Sequence, residues 1–300
     1  MLEFLSDNLL AAIRYVNCNL LYEMRVRANK PVVVNYNGKY IFLGARGITD
    51  RIGDALVSSY SEIESIIYRA SEFSVYSVTD QLKQGFITGA NGERIGLAGV
   101  YVYENGSAFT VKEVTSLNIR IPHEVKGAGG FIFEKCFSEK IASALILSPP
   151  GRGKTTILRD LSRLISAKYL INILINDERN EISAAYRDFS LETGAFSDIV
   201  RYAHKKDALS AAIRSMRPDL IITDELTSKE EAEAVVSCVR GGVEVIASAH
   251  FKDLDGVRNA PEFACIISGG IFDYYIVLDS EGIGRIKYIC DGQFTRIFEA

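Results

Sequence analysis

The sequence of 300 residues predicts an α/β protein in two parts, a smaller α+β domain followed by a larger domain built on a parallel sheet. Three observations lead to this fold class. In the first part, Asn-Gly dipeptides recur between β-rich stretches, which is typical of antiparallel hairpins. In the second part, short apolar strands alternate with helices, which indicates parallel strands joined by helical crossovers. A glycine-rich stretch at 126–130 separates the two patterns and is the best candidate for a linker, so we place the domains at residues 1–125 and 126–300.

The elements of the first domain follow from apolar periodicity and turn residues. Leu2–Leu21 carries apolar residues at roughly helical spacing, whereas Tyr22–Arg27 and Pro31–Asn35 alternate as strands do. Because Asn-Gly adopts the positive φ pair of a type I′ turn, we predict the hairpins Val32–Leu43 around Asn37-Gly38 and Phe86–Val111 around Asn91-Gly92 and Asn105-Gly106. Helices are also predicted at Tyr60–Phe73 and Val78–Gln84. This domain shows no catalytic constellation, so we expect it to serve oligomerisation or the docking of a partner.

The second domain reads as an alternation of strands and helices that ends in a hairpin. The predicted strands are Ala142–Leu147, Tyr169–Ile175, Leu220–Thr223 and Val243–Ala249. The predicted helices are Thr155–Ile165, Lys206–Met216 and Lys229–Val239. Tyr274–Leu278 and Arg285–Ile289, on either side of Glu281-Gly282, predict the terminal hairpin.

The composition is that of a folded, soluble protein. The chain has 34 Lys and Arg against 38 Asp and Glu, a net charge of −4, and 48% hydrophobic residues, which excludes a disordered chain. Because no block of like charges occurs, a polybasic tail for nucleic acid or lipid is also excluded. The apolar runs are far shorter than a membrane span and no signal peptide is visible, so we expect a cytosolic protein. Five scattered cysteines without C-x-x-C spacing indicate neither a disulfide framework nor a zinc site.

The segment Ser148–Thr156, SPPGRGKTT, follows an apolar strand and precedes a helical run, which is the context of a P-loop. The backbone N–H groups of Gly151–Thr155 are expected to surround a β-phosphate at the helix N-terminus. Lys154 would bridge the β- and γ-phosphates, and the hydroxyl of Thr155 would bind Mg²⁺. The loop departs from the usual pattern at Ser148, where glycine is standard. We assign ATP binding to Pro150, Gly151, Arg152, Gly153, Lys154, Thr155 and Thr156.

Two apolar strands of this domain end in polar residues that suit the same chemistry. The run LIITDE ends in Asp224, expected to hold Mg²⁺ through water, and Glu225, expected to activate the attacking water. The run VIASAH ends in Ser248 and His250, where such folds place a sensor of the γ-phosphate; a surface histidine at a strand end is the alternative. One strand–helix pair fits between the P-loop and Asp224. We therefore predict a RecA-like P-loop NTPase core.

Further candidates lie at another strand end and on a helix. Glu178 would supply a second carboxylate near the γ-phosphate, and Arg179 would pair with phosphate or with Glu178, unless the two form a structural ion pair. Arg214 and Arg217 are candidates for reaching the nucleotide of a neighbouring subunit, with helix-surface salt bridges as the alternative. The residues we name as catalytic are Glu225, Lys154, Glu178, His250 and Arg214.

Segments along nearly the whole chain resemble the stage III sporulation protein AA family. They are residues 148–163, 177–182, 213–225 and 242–250 in the second domain, and 23–27, 85–88, 92–99 and 116–121 in the first. That family is similar to the secretion ATPases of type II and type IV systems. The resemblance implies a hexameric ATPase in the mother cell that energises or assembles the envelope-spanning channel to the forespore. It also implies docking on a membrane-bound partner, stage III sporulation protein AB, so that the chain is peripheral at the membrane.

The sequence departs from the family pattern at three places. Leu226-Thr227-Ser228 replaces an Ile-Gly-Arg step, Phe251 replaces a glycine and Val100 replaces an arginine. The lost arginine and Ser148 motivate an alternative function, a nucleotide-gated binding module with little turnover. A nucleic-acid motor is a third possibility. It is disfavoured because the residues before Gly127 are neutral and the net negative charge lies in the second domain.

Overall fold

The computed structural model of the chain describes residues 2–72, 78–104 and 106–300, which form two compact units. The first unit runs to His123 and includes Ala184–Ser190, and the second comprises Glu124–Ser183 and Leu191–Ala300. The first boundary lies two residues before the position expected from the sequence. The assignment of Ala184–Ser190 to the first unit has no counterpart in the sequence prediction.

The first unit is built on an antiparallel sheet of seven strands. In chain order these are β1 (Leu21–Arg27), β2 (Val33–Tyr36), β3 (Lys39–Gly44), β4 (Gly47–Thr49), β5 (Phe86–Thr88), β6 (Arg94–Glu104) and β7 (Ser107–Arg120). Their order across the sheet is β4-β3-β2-β1-β7-β6-β5. Its described helical segments are α1 (Asp7–Ile13), α2 (Tyr60–Ala70), α3 (Thr79–Lys83) and the 3-10 turns Cys18–Leu20 and Ile52–Asp54. The core of the unit includes Ile63 and Ile66 of α2 together with Met24 and Ile119 of the sheet, all fully buried.

The hairpin predicted at Val32–Leu43 is confirmed. β2 and β3 pair as far as Tyr36 and Lys39, which leaves two residues in the turn. These are Asn37 and Gly38, whose φ angles of 50° and 80° suit a type I′ turn. The local Asn-Gly signal therefore set the register of this pair of strands.

The other two Asn-Gly dipeptides have different outcomes. β6 and β7 form the predicted hairpin, although Asn105 of its turn lies outside the described residues. Asn91-Gly92 stands in a five-residue loop between β5 and β6 rather than in a two-residue turn. Gly92 has a φ of 76°, and a Cβ atom there would lie 2.2 Å from the carbonyl oxygen of Ala184. Glycine is needed here because another part of the backbone approaches so closely.

The first predicted helix is much shorter than Leu2–Leu21, because α1 ends at Ile13. The side chain of Asn17 accepts a hydrogen bond from the N–H of Asn19 and starts a 3-10 turn instead. Such local hydrogen bonds are the reason that asparagine favours turns over helix interiors. The other two predicted helices are present as α2 and α3, and the predicted end at Phe73 lies outside the described residues.

The second unit is built on a sheet of eight strands. They are β8 (Ala144–Leu147), β9 (Ile173–Asp177), β10 (Ser197–Arg201), β11 (Leu220–Leu226), β12 (Glu244–Ala249), β13 (Tyr274–Leu278), β14 (Ile286–Asp291) and β15 (Arg296–Glu299). Its helical segments are α4 (Gly130–Ile132), the π-helix Phe133–Phe137, α5 (Lys154–Tyr169), α6 (Lys205–Ser215), α7 (Lys229–Arg240), α8 (Leu254–Arg258), the 3-10 turn Pro261–Phe263 and α9 (Ala264–Gly269).

The strand order β10-β9-β11-β12-β8-β13-β14-β15 confirms the predicted α/β core. The first six strands are parallel and the last two antiparallel. Alternate residues of β8 enter two different cores, Leu145 and Leu147 in one, Ala144 and Ile146 in the other. The sheet is thus covered on both faces, as parallel sheets require. β12 lies between β8 and β11, and all these strands end at the same edge of the sheet.

Three details of the second unit differ from the sequence prediction. The end of the glycine-rich stretch at 126–130 is structured, since the N–H of Gly129 donates to Oδ2 of Asp160 at 2.8 Å and Gly130 begins α4. β10 was not predicted, because this sheet-edge strand is largely half-buried and its polar residues weaken the apolar pattern. The terminal hairpin is present as β13 and β14, but β15 extends it. Each helix within the described residues is too short or too polar to cross a membrane.

Candidate functional site

The loop between β8 and α5 has the geometry of a phosphate-binding loop. β8 is fully buried, and the two loop glycines, Gly151 and Gly153, have φ angles of 73° and 88°. Glycine adopts this left-handed region without strain. α5 begins directly after Gly153, so the N–H groups of its first turn lack intrahelical partners and lie at the positive end of the helix dipole. The strand, loop and helix predicted around Ser148–Thr156 are therefore all present.

Lys154, the first residue of α5, directs its ammonium group back into the loop. Its Nζ atom is 2.9 Å from the carbonyl oxygen of Ser148, 3.1 Å from that of Pro149 and 3.1 Å from Nδ1 of His250. Burial lowers the pKa of Lys154 to about 8, although the charge of Glu225 acts in the opposite direction. These three acceptors are neutral, so the ammonium group stands to gain a stronger partner when a phosphate anion reaches the loop.

His250 connects the P-loop with the carboxylate near the end of β11. Its Nδ1 atom accepts from Lys154, because an ammonium group only donates, and Nε2 therefore carries the ring proton. Nε2 lies 3.1 Å from Oε1 of Glu225, a close contact between the ring and the carboxylate. The second oxygen of Glu225, Oε2, accepts from Nη1 of Arg179 at 2.6 Å. A continuous chain of polar contacts runs from Lys154 through His250 and Glu225 to Arg179.

Asp224 is a buried carboxylate with one oxygen left without a hydrogen bond. Burial and the charge of Asp177 raise the pKa of Asp224 to about 6, although Lys205 opposes the shift. Nζ of Lys205 is 3.3 Å from Oδ1 of Asp224, but the geometry is not that of a hydrogen bond. This contact is an ion pair that leaves the oxygen available to a further ligand.

The available oxygen of Asp224 fits the Mg²⁺ role predicted for it. Carboxylate and hydroxyl oxygens are the ligands that Mg²⁺ prefers, and Thr155 supplies a hydroxyl in the first turn of α5. Across residues 2–72, 78–104 and 106–300, no group of three His, Cys, Asp or Glu side chains is arranged to hold a metal by itself. Mg²⁺ is commonly held by one or two protein ligands plus substrate phosphates. The residues present therefore suit a metal that arrives with a nucleotide.

Glu178 and Lys205 form a second charged cluster at the same edge of the sheet. Nζ of Lys205 lies 2.8 Å from Oε2 of Glu178 and 3.7 Å from Oε1 of Glu231, and Nδ1 of His204 lies 3.0 Å from Oε1 of Glu178. Burial by itself would raise the pKa of Glu178, but Lys205 and His204 outweigh it and lower the pKa. Sequence reasoning missed Lys205, whose only signal is its place one residue before a predicted helix.

Asp177 shapes the loop that carries Arg179. It is fully buried, and its Oδ1 atom accepts from the N–H groups of Glu181 and Ile182 at 2.7 and 3.1 Å. Its Oδ2 atom accepts from the N–H and the hydroxyl of Ser183 at 2.8 and 2.7 Å. Four hydrogen bonds to one side chain hold the loop at 177–183 in a single conformation.

Four of the predicted site residues meet at one edge of the sheet. Lys154, Glu225, His250 and Asp224 lie together at the carboxyl ends of the parallel strands, with Pro150–Thr156 forming the loop beside them. Arg179 pairs with Glu225, a contact that the sequence did not predict. Ser248 is buried within β12.

Arg214 does not belong to the site of its own chain. It is exposed in the last turn of α6, nine residues and therefore about 14 Å along the helix from Lys205 at the other end. Its assignment as a residue that reaches a neighbouring subunit stays a prediction.

The fold and the site define a P-loop protein with a RecA-like core. Among the solved structures that share this fold are an ATPase and a pilus motor. The ATPase DotB of Legionella pneumophila has a TM-score of 0.60 and 12% identity, over 93% of this chain and 79% of DotB. The pilus retraction motor PilT, solved with bound ADP, has a TM-score of 0.58 and 16% identity, over 90% of this chain and 76% of PilT.

The chain belongs to the family described as Sporulation stage III, protein AA, whose model matches residues 6–297. It is 31% identical over 275 residues to Stage III sporulation protein AA of Bacillus subtilis (strain 168). That alignment covers 90% of this chain and 86% of the relative. The family resemblance seen in the sequence motifs is thus confirmed.

The departures from the family pattern have local structural roles. Ser228 begins α7, where its hydroxyl accepts from the N–H of Glu231 and the Glu231 carboxylate accepts from the Ser228 N–H, a capping box. The ring of Phe251 meets that of Phe263 edge-on, with centroids 5.1 Å apart. Val100 is 53% exposed on β6. Ser228, which stands where the family pattern has arginine, therefore caps the N-terminus of α7.

Proposed function

We propose that this protein is an ATP-hydrolysing, ring-forming motor of the secretion-ATPase type. The observation that carries the proposal is the chain of polar contacts from Lys154 through His250 to Glu225. It joins the phosphate loop to a carboxylate near the end of a nearby parallel strand. Hydrolysis of a terminal phosphate needs this combination, a cation at the phosphate and a base for the attacking water.

In the proposed reaction the N–H groups of Gly151–Thr155 bind the β-phosphate, and Lys154 turns from the carbonyl oxygens of its own loop to the β- and γ-phosphates. Glu225 accepts a hydrogen bond from the attacking water in place of one present partner and takes its proton, while the water oxygen bonds to the γ-phosphorus and the bond to the β,γ-bridging oxygen breaks, so that ADP leaves. At that moment His250 loses Lys154 as a hydrogen-bond donor. The binding of ATP is thereby passed to Glu225 through the contact between His250 and Glu225. Mg²⁺ supplies positive charge to the phosphate oxygens when bound, and Thr155 and Asp224 would hold it.

At the level of the cell we propose a hexamer that energises or assembles the envelope-spanning channel between mother cell and forespore. Family membership and the fold shared with an ATPase and a pilus motor support this assignment. We propose that the first unit mediates oligomerisation or docking on a membrane-bound partner that resembles stage III sporulation protein AB. The motor would then be cytosolic and reach the membrane through that partner.

Phosphate release by the purified full chain tests the enzymatic part. Lys154→Ala should abolish release, whereas Lys168→Ala, an exposed lysine at the other end of the same helix, should not change it. Glu225→Gln should bind ATP but hydrolyse it about 10²–10⁴-fold more slowly, with the exposed Glu230→Gln as its control. Equal release from the wild type and Lys154→Ala would end the claim.

The contacts that the site residues make with one another favour a second candidate, a nucleotide-gated binding module with little turnover. Both oxygens of Glu225 are engaged, one by His250 and one by Arg179, and Lys154 is bound by its own loop. ATP binding without phosphate release, even with the membrane partner present, would select this candidate.

The nucleic-acid motor has a test of its own. Failure of DNA and RNA to stimulate phosphate release at low salt would exclude it.

Ring formation is tested separately, by the size of the particle in solution. Light scattering with and without ATP, and with and without the candidate partner, should show a larger assembly of defined mass when nucleotide is present. A monomer under all four conditions would contradict the ring.

A further inference from the structure

Lys205 is a buried lysine with a position unusual for that residue type. It is the first residue of α6, and its side chain is only 5% exposed. Lysine is almost never buried without a partner of opposite charge, because the desolvation of an ammonium group is costly. The contacts that offset this cost show what the residue does.

Three carboxylates from three separate segments converge on the one ammonium group. Glu178 follows β9, Asp224 belongs to β11 and Glu231 belongs to α7, at 2.8, 3.3 and 3.7 Å from Nζ. Each of these distances is within 4.0 Å, so each carboxylate forms an ion pair with the ammonium group. The ammonium group therefore stays charged and acts as the fixed cation of this acidic cluster.

The three contacts are not equivalent. Glu231 has a second function in the capping box of α7, and Glu178 also binds His204. Asp224 is different, since its Oδ1 atom faces Lys205 without forming a hydrogen bond. Lys205 thus balances the charge of Asp224 without saturating the oxygen that a metal would use.

The position of the ammonium group also affects free metal ions. A divalent cation that approaches Asp224 without a nucleotide meets a positive charge about 3.3 Å from the oxygen it would bind. A cation that arrives with nucleotide phosphates carries part of its ligand set and much of its neutralising charge with it. The same cluster would therefore exclude a free divalent cation and bind one that arrives with a nucleotide.

We propose that Lys205 is a positioning residue of the nucleotide site, which holds Asp224 at the metal edge and excludes divalent cations there until a nucleotide brings one. The part about the nucleotide rests on the function proposed above. The exclusion of free metal does not, and it can be measured on the full chain without nucleotide and without turnover.

The test is the melting temperature of the nucleotide-free chain in 0 and 20 mM MgCl₂, at constant ionic strength set with NaCl. For Lys205→Met we expect a rise of about 3 to 6 °C with Mg²⁺, since the buried oxygen of Asp224 then meets no positive charge and can bind a hydrated cation with a Kd on the order of 1 mM. The wild type should show no rise. Lys206→Met, the exposed neighbour on the same helix, should behave like the wild type.

Two results would overturn the proposal. One is a folded Lys205→Met chain whose melting temperature ignores Mg²⁺. The other is a Mg²⁺-dependent rise in the wild type that Asp224→Asn removes, because Lys205 would then exclude nothing. If Lys205→Met does not fold, Lys205→Gln, which keeps hydrogen-bond donors without the charge, takes its place, and the wild-type arm decides independently. If Mg²⁺ raises the melting temperature of Lys205→Met and not that of the wild type, but the wild type hydrolyses no ATP, the proposed function fails and the exclusion of free metal stands.

Discussion

The pKa of Lys154 makes nucleotide affinity depend on pH in a way that can be worked out from the structure. Burial lowers this pKa to about 8, so the nucleotide-free chain loses the proton of Lys154 as the pH rises through 8. Phosphate oxygens bound at Nζ favour the charged form, so the nucleotide-bound chain keeps the proton to much higher pH. Above pH 8 binding must therefore take up a proton, and the affinity falls as the pH rises.

The size of the effect follows from the fraction of chains that carry the proton. With a pKa of about 8 this fraction is roughly 90% at pH 7 and roughly 3% at pH 9.5. The Kd for ADP should consequently rise about 30-fold over this range, which corresponds to about 2 kcal/mol. ADP is the ligand of choice because it is not consumed during the titration.

Fluorescence titration of the full chain with labelled ADP, in steps of half a pH unit, measures this dependence. Lys154→Arg is the matched variant, because a guanidinium group stays charged over the whole range, and its Kd should be constant with pH. A flat profile for the wild type would refute the reasoning. So would an equal slope in both proteins, since the titrating group would then lie elsewhere.

Three further predictions concern stability, measured by urea unfolding. Asp224→Asn should raise the free energy of unfolding by about 1 to 3 kcal/mol at pH 7.5, because burial raises the Asp224 pKa from 3.8 to about 6 and the folded state loses stability between these two values, where the unfolded chain alone gives up the proton; the gain should vanish below pH 4. Asp177→Ala should cost about 3 to 5 kcal/mol, since four donors, three of them in buried hydrogen bonds, lose their acceptor; a cost under 1 kcal/mol would contradict the role given to this side chain. Gly92→Ala should cost about 3 kcal/mol or more and Gly38→Ala about 1 kcal/mol, because both have positive φ but only Gly92 lies against the Ala184 carbonyl; equal costs would show that φ alone decides.

The parts of the fold that could be predicted are those encoded over a few neighbouring residues. Asn37-Gly38 specifies its own turn, and the P-loop is a contiguous segment whose glycines and lysine act together. The meeting of Asp224, Glu225 and His250 was predictable because parallel strands end at one edge of a sheet. The extent of α1 was not, since the side chain of Asn17 offers the backbone a turn that competes with the helix.

The part of the site that could not be predicted depends on contacts between distant segments. Lys205 precedes an ordinary helical pattern, and its importance appears only when three separate segments bring carboxylates to it. Arg179 belongs to a loop whose conformation depends on hydrogen bonds to Asp177. Nothing in the local sequence states whether such an arginine faces Glu178, Glu225 or a phosphate.

The membership of Ala184–Ser190 in the first unit limits how this chain can be divided experimentally. Removal of residues 1–125 leaves a fragment that still carries Ala184–Ser190, seven residues that belong to the unit just removed. A fragment meant to represent the nucleotide site alone needs those seven residues replaced by a short polar connection between Ser183 and Leu191. For the same reason, exchanging the first unit between two members of the family requires two segments to be exchanged together.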